Sequence, residues 1–364
     1  MVYKVLGVMS GSSLDGLDLA FAEFQEVSGK WNFEIKAAAC YPYPVSWTEQ
    51  LRNATELSAK DYLLLHTAYG HYIGSCVNRF IEEQGVAYQV QLIASHGHTV
   101  FHLPEQKMTA QLGDGAAIAA TTGIHTVTEL RAMDVALGGQ GAPIVPIGEQ
   151  LLFHSYGLLL NLGGIANITL QFTPSPIAWD ICPANRVLNL LAETAGRSFD
   201  ENGSLARSGK ADQALLSELN DLEYYTKPAP KSLANEFGTG EVYPMIRNKG
   251  LTPQDALATY TLHIAEQVKR AIQHHVSNPS KLTQTQLLIT GGGAHNTFLV
   301  ESIQAQLDDW GIKVSVPDPL VVDFKEALIM ALIGVLRWRE EDNVLSSVTG
   351  ATRSSIGGAM WLGK

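Results

Sequence analysis

The chain has 364 residues, 46% of them hydrophobic and 17% charged, an ordinary globular composition that excludes a long disordered tail. A formal net charge of −11 excludes a general nucleic-acid or membrane-surface binder, because phosphate-rich partners demand a basic face. Cys40, Cys76 and Cys182 form no CxxC pair, so neither a disulfide nor a zinc framework is read and a reducing compartment is expected. No apolar leader and no span of about twenty apolar residues is found, so a cytoplasmic protein is expected. The length exceeds what one hydrophobic core usually serves, and two domains follow.

In chain order, VYKVLGVM, the turn SGSSLDG and LDLAFAEF read as strand, glycine turn, strand, and NFEIKAAACYPY offers a third strand. AKDYLLLHTAYGHYIGSCVNRFIEEQG has helical spacing and stops at Gly85. VQLIASHG is a buried strand entering a glycine turn, followed by a helix at GDGAAIAATTG and a strand at HTVTEL.

The same order then recurs. YGLLLNLGGIANITLQF is strand, glycine turn, strand, and PIAWDI is a third strand. TPQDALATYTLHIAEQVKRAIQHHV is a helix with Asp255 in its first turn, and QLLITGGGAH is again a buried strand entering a glycine turn, with GIKVSVPD as the last strand. The repeat lies in the order of elements and not in residue identity. It implies two mixed α/β domains with a cleft between them, the first boundary falling in ALGGQGAPIVP, Ala136 to Pro146, and the last helix and strand returning to the first domain. The expected domains are residues 1–135 with 338–364, and 136–337.

Three glycine turns follow strands: SGSSLDG, NLGGIAN and TGGGAHN. Glycine permits close backbone approach, so successive N–H groups can converge on an anion. GxxxxGK[ST] is absent and no GxGxxG opens a helix, so a P-loop or dinucleotide fold is not supported.

These residues carry a family resemblance over essentially the whole chain. MSGSSLDGLD, SHGHTVFHLP, Gln111 with GD, LRAMDVALGGQGAPIVP, LNLGGIANIT, the DxxPAN run, FDENGSLARSG, PKSLANEF, TGGGAHN, KEALIMA and VTGATRSSIGG together resemble the anhydro-N-acetylmuramic acid kinases. That family lies within the superfamily of acetate kinases, sugar kinases, chaperone ATPases and actin. The resemblance implies two duplicated ribonuclease-H-like, actin-like ATPase domains, each a mixed five-stranded sheet with flanking helices around an interdomain cleft. The first would be the sugar and phosphate side and the second the nucleotide side. It further implies hydrolytic opening of the 1,6-anhydro ring of a recycled cell-wall sugar and its phosphorylation by ATP with magnesium, giving N-acetylmuramic acid 6-phosphate, in a homodimer with no nucleic-acid or membrane partner. The domains would close on their substrates to keep water from wasting ATP.

Where the family has Thr in the first turn this chain has Ser12, where it has HGQT the chain reads His96-Gly97-His98-Thr99, and where it has FDTGPGN the chain reads Trp179 to Asn185 as WDICPAN. A single cleft-facing carboxylate can take a proton from the attacking water. The resemblance assigns this to Asp180; read without it, an Asp capping the next turn is the simpler account. For the first turn, Gly11, Ser12, Ser13, Leu14, Asp15, Gly16, Leu17 and Asp18 are the implied phosphate site, with Ser10 as a further donor. Asp15 or Asp18 would serve magnesium through water, although turn aspartates also bond their own backbone. Asn161, Gly163 and Gly164 are implied as the second phosphate turn, and Gly291, Gly292, Gly293 and Asn296 as the adenine and ribose side, with Asn167 and His295 as turn residues.

His96, Thr99, Arg131, Asp134 and Glu326 are the implied sugar residues, Arg131 offering its planar fork to the lactyl carboxylate of muramic acid. A surface salt bridge is the plainer reading of Arg131. His96, His98 and His102 also permit a zinc reading, but no acidic ligand cluster accompanies them and a sugar hydrogen bond from His96 is preferred. Two alternatives stay open: a kinase for a different anhydro-sugar or sugar, and a non-catalytic nucleotide or sugar sensor.

Overall fold

The computed structural model describes residues 1–11, 14–171, 176–229, 231–275 and 285–364. The strands in chain order are β1 (Val2–Ser10), β2 (Gly16–Val27), β3 (Lys30–Pro42), β4 (Leu92–Ser95), β5 (His98–Leu103), β6 (Met108–Leu112), β7 (His125–Thr128), β8 (Leu158–Leu162), β9 (Ile165–Leu170), β10 (Ile177–Pro183), β11 (Gln286–Thr290), β12 (Lys313–Ser315) and β13 (Ala359–Trp361). They fall into two compact units, Met1–His154 with Phe324–Lys364, and Ser155–Asp323. Compared with the boundaries read from the sequence, the segments 136–154 and 324–337 go with the first unit, and 338–364 return to it as expected. The reason is internal to that unit: Lys325 forms a buried ion pair with Glu149 at 2.9 Å, and Gly148 packs against Ile329.

In the first unit the sheet order is β13-β7-β4-β1-β2-β3, and in the second it is β10-β9-β8-β11-β12. Setting β13 aside, both follow one rule: three antiparallel strands, then two parallel ones beside the first. The pairings β1·β2 and β2·β3 are antiparallel and β1·β4 and β4·β7 parallel, and β8·β9, β9·β10, β8·β11 and β11·β12 repeat this. This is the duplicated ribonuclease-H-like arrangement that the family resemblance implied, and it carries the repeated element order. Two parts lie outside that reading: β13, a sixth strand paired antiparallel to β7, and the separate β5–β6 hairpin.

Helices cover both faces of the first sheet. On one, Leu65, Tyr69, Ile73, Val77 and Phe80 of the helix Ala59–Glu83 form a core with Leu6, Val8, Leu17, Leu19 and Phe21. That helix starts where the Ser58 side chain accepts the Asp61 N–H at 3.2 Å, and Gly85 lies just beyond its end with φ 64°. On the other face the helix after Phe324 lies so close that a Cβ on Gly7 would meet the Ala327 carbonyl, so only glycine fits there. In the second unit, the helix Pro253–Gln273, capped by Thr252, buries Tyr260, Ile264, Val268 and Ile272 against Leu158, Leu160, Leu162 and Ile168. The chain passes back to the first unit within the helical run Pro319–Trp338, which breaks at Phe324 (φ −118°, ψ 17°).

Candidate active site

Strand alternation decides which side of each sheet the polar residues occupy. In the first unit Ser10 shares the apolar face with Leu17, and its hydroxyl is buried in a chain of partners. Tyr43 donates to Ser10 Oγ at 2.8 Å, Ser10 Oγ lies 3.1 Å from His98 Nδ1, and the Tyr43 and Tyr69 hydroxyls are 2.6 Å apart. Asp18 takes the opposite face, half-buried and in register with Cys40, while Asp15 is exposed. Of the first-turn residues, Ser12 and Ser13 lie outside the described ones. Leu14 is held at φ 60°, a left-handed conformation that costs a bulky residue about 1–2 kcal/mol. The flanking backbone bonds Leu14 N to Gly11 O and Tyr43 N to Asp15 O hold the turn in place.

Among the described residues no group of three His, Cys, Asp or Glu that could hold a metal ion is formed, and this turn brings two carboxylates, Asp15 and Asp18, a donor type that hard cations prefer. Burial, then the hydrogen bond to Asp18, then the charges of Asp18 and Asp15, push the Cys40 thiol up to about 12. Cys40 therefore stays protonated, and the two carboxylates, which suit magnesium, are the anionic donors.

Of the residues expected on the sugar side, His96 and Arg131 are joined by a direct bond, and Arg131 and Asp134 both hold Gly141. Arg131 donates its Nε–H to His96 Nε2 at 2.8 Å, and the other ring nitrogen, Nδ1, donates to the Gly97 carbonyl at 2.8 Å. The imidazole is thereby a neutral Nδ1–H tautomer, and burial followed by the Arg131 charge pushes its pKa down to about 3. Arg131 also donates to the Gly141 carbonyl at 2.5 Å; burial lowers its pKa to about 10, against the opposing charges of Glu326 and Asp134. Asp134, fully buried, accepts from Gly141 N at 2.8 Å and from the Thr349 hydroxyl at 2.7 Å. The glycine run and the C-terminal VTG segment are thus fastened to one carboxylate. Thr99 is exposed on β5, 3.4 Å from the Gln111 amide, and Glu326 is exposed beside buried Ala327. With both ring nitrogens engaged, His96 aims Arg131 and offers no lone pair to zinc.

In the second unit the first polar feature is a row. Asp180 pairs with Asn167, Asn167 with Asn161, and Asn161 with Thr290, so four strands present polar side chains in register on one face. Trp179 and Ile181 turn the other way, into the core. Asp180 is half-buried; its Oδ2 accepts the Leu233 N–H at 2.8 Å, and its backbone bonds to Lys231 and Tyr224 hold it at a β-bulge. Burial pushes its carboxyl above its ordinary value, against the pull of the Leu233 N–H.

The second and third glycine turns meet beside this row. A Cβ on Gly291, which has φ 80°, would come within 2.6 Å of Asn161 Oδ1, and one on Gly293 within 2.6 Å of Leu162 Cβ. Close packing of the two turns therefore requires glycine at both positions. The carbonyls of Gly163 and Gly164 accept from Asn185, Ala184 and Arg186, which ties the second turn to the PAN segment. Gly292 is exposed, and Asn296 caps the helix Thr297–Leu307, its Oδ1 accepting Leu299 N at 3.0 Å. His295 lies 2.6 Å from Asp323.

The model of the family described as anhydro-N-acetylmuramic acid kinase matches residues 3–363. The chain belongs to the anhydro-N-acetylmuramic acid kinase family. It is 35% identical to the anhydro-N-acetylmuramic acid kinase of Aliivibrio fischeri over 97% of this chain and 98% of that one. It is 34% identical to the one from Vibrio cholerae over 97% and 96%. Among solved structures, the activator of 2-hydroxyisocaproyl-CoA dehydratase from Clostridium difficile, with bound ADPNP, is similar at 14% identity and a TM-score of 0.49, covering 93% of this chain and 96% of that one.

As a member of the anhydro-N-acetylmuramic acid kinase family the chain is a phosphotransferase. Three features of its site were not singled out from the sequence. Thr349 lies in the closing VTG run, and only the fold shows that it holds Asp134. Tyr43 and Tyr69 sit in apolar stretches where an aromatic reads as core. Thr290 and Ser95 each end the fourth strand of a unit, and each buries a hydroxyl that has no hydrogen-bond partner among the described residues.

Proposed function

We propose that this protein uses ATP to open 1,6-anhydro-N-acetylmuramic acid with water and phosphorylates it to N-acetylmuramic acid 6-phosphate, with Asp180 as the general base. The observation that carries the assignment is Asp180 itself. It is a half-buried carboxylate of raised proton affinity, fixed at a bulge by Leu233 and Lys231 and set in register with Asn167 and Asn161. A base poised in this way can take a proton from water as the water oxygen bonds to the anomeric carbon. The bond from that carbon to the 6-oxygen breaks, the 6-oxygen attacks the γ-phosphorus, and ADP leaves.

The first unit is assigned to the sugar and the first-turn phosphate contacts, the second to the nucleotide. Arg131, aimed by His96, pairs with the lactyl carboxylate, and Glu326 and Thr99 meet sugar hydroxyls. The turns at Gly11 to Asp18, Asn161 to Gly164 and Gly291 to Gly293 offer backbone donors to the nucleotide. Asp15 or Asp18 would hold magnesium through water, and magnesium supplies charge neutralisation at the phosphates when bound. The reading extends to a cytoplasmic homodimer; among the described residues no helix is long and apolar enough to cross a membrane.

The test is turnover of 1,6-anhydro-N-acetylmuramic acid with ATP and magnesium, following ADP and the phosphorylated sugar. Folded protein that forms no ADP would overturn the reading. Activity with another anhydro-sugar alone would instead favour altered specificity around His98, whose ring is buried against Ser10.

A further inference from the structure

The second unit has a cavity of about 300 Å³ on the reverse of β10, the strand that carries Asp180. Trp179 and Ile181 form one wall, Lys227 and Lys231 a second, and Arg270 and His275, from the last turn of the helix Pro253–Gln273 and just beyond it, a third. No aspartate or glutamate lines it among the described residues, although the chain carries a net charge of −11. Three basic side chains around one concavity, in so acidic a protein, call for an explanation.

The bland account is that Arg270 and the histidines after it merely suit the negative end of a helix dipole. It covers one wall only, since Lys227 and Lys231 come from a different segment. Lys231 is fixed: its ammonium donates to the Tyr224 carbonyl at 2.9 Å and lies 4.4 Å from the Tyr224 ring. Burial and then the Lys227 charge lower its pKa, so the two ammonium groups repel one another. Lys227 does meet Glu223 at 3.5 Å, but that carboxylate is 87% exposed and screened by solvent. Arg270 is anchored by the Asn220 carbonyl at 3.1 Å. Lys231 and Arg270 are held before any ligand arrives, which lowers the ordering cost of binding an anion.

We infer that this cavity binds the phosphate monoester of a small sugar, at a site separate from the polar row containing Asp180. A phosphate dianion answers several converging cations better than a single carboxylate does. The volume is at the lower end for small-molecule sites and admits a hexose phosphate rather than a dinucleotide. Trp179 and His275 pack on one another, with ring centroids 4.3 Å apart and planes tilted by 32°, and give the cavity an aromatic wall of apolar carbon that a sugar's CH groups can meet. This inference does not rest on the activity proposed above.

The probe is glucose 6-phosphate, titrated into the full chain by isothermal calorimetry at low salt. Saturable binding is expected, absent with glucose, weaker with inorganic phosphate, and weakened at least about tenfold by Lys227→Gln or Arg270→Gln, with Asp180→Asn unchanged. Lys227 is exposed, so its variant keeps the fold even where Arg270→Gln does not. No heat up to about 10 mM ligand overturns the inference, as does affinity unaltered in Lys227→Gln. Binding lost in Asp180→Asn but kept in Lys227→Gln also overturns it, since the ligand would then sit in the other site. Phosphate binding as tightly as the sugar phosphate removes the sugar from the assignment.

Discussion

His96 accepts the Nε–H of Arg131 at 2.8 Å while donating its own Nδ1–H to Gly97, so a neutral imidazole orients a guanidinium. His96→Ala removes the acceptor but not the cation. If Arg131 holds a substrate carboxylate, the variant should raise KM for the sugar by roughly tenfold or more with a smaller change in kcat. Steady-state kinetics on both substrates check this; an unchanged sugar KM with a raised ATP KM would contradict it.

Burial of two histidines as neutral rings makes stability depend on pH. His96 and His263 both have folded pKa values pushed down to about 3 by burial first and a nearby arginine second, below the ordinary 6.5. Between pH 6.5 and 3 the unfolded chain binds more protons than the folded one, so stability is full above 6.5 and is lost as pH falls through that window. Each group contributes up to about 1.4 kcal/mol per pH unit. Urea unfolding at pH 7 and pH 5 should show this loss, and His263→Gln should reduce the slope. His263 lies between Tyr225 and Asn220, away from the residues assigned to chemistry, so turnover is not the readout.

Asp180→Asn keeps the shape of the carboxylate and removes the proposed base. The expected outcome is a fall in kcat of roughly 10²–10⁴ with the fold intact by circular dichroism. In the parent, activity should fall as pH drops through a pKa above the ordinary carboxylate value, because the base works ionised and its carboxyl is raised. An acid limb unchanged in the variant would assign that titration elsewhere.

Gly293→Ala and Gly164→Ala form a matched pair. The first places a Cβ 2.6 Å from Leu162 Cβ, whereas the second meets nothing nearer than Arg186 Cβ at 3.9 Å. Thermal unfolding should show Gly293→Ala destabilised by about 1–3 kcal/mol and the stability of Gly164→Ala little changed. Equal effects would mean that the turns do not pack as described.

Lys325 and Glu149 form a buried ion pair, 4% and 6% exposed. Lys325→Met leaves a buried carboxylate without its ammonium and should cost about 3–5 kcal/mol, whereas the double variant Lys325→Met, Glu149→Leu should recover most of that. Denaturant midpoints of the two variants measure the difference.

The local layer of this protein was legible in its residues. Strand, glycine turn and strand recur because alternation and turn chemistry act over a few residues, and Ser58, Thr252 and Gly85 mark helix ends by the same short-range rules. The family residues, among them Asp180, Arg131 and TGGGAHN, were legible because their motifs are specific. The β5–β6 hairpin was not, since HTVFHL and MTAQL are short and lack a two-residue hairpin turn. The return of a last strand to the first unit was expected, but its pairing as β13 antiparallel to β7 was not legible, because three residues carry no register of their own.

What the tertiary structure alone decided are pairings across long separations. His96 reaches Arg131 across 35 positions and Asp134 reaches Thr349 across 215, and no local rule selects such partners. The row from Asp180 to Thr290 exists because β10, β9, β8 and β11 adopt one register. Register is set by burying Leu158, Leu160, Leu162 and Ile168 on a common face, and a slip of one residue would turn Asp180 into the core. The sequence by itself determined which side chains are available for chemistry. Burial of the apolar face determined which of them stand together.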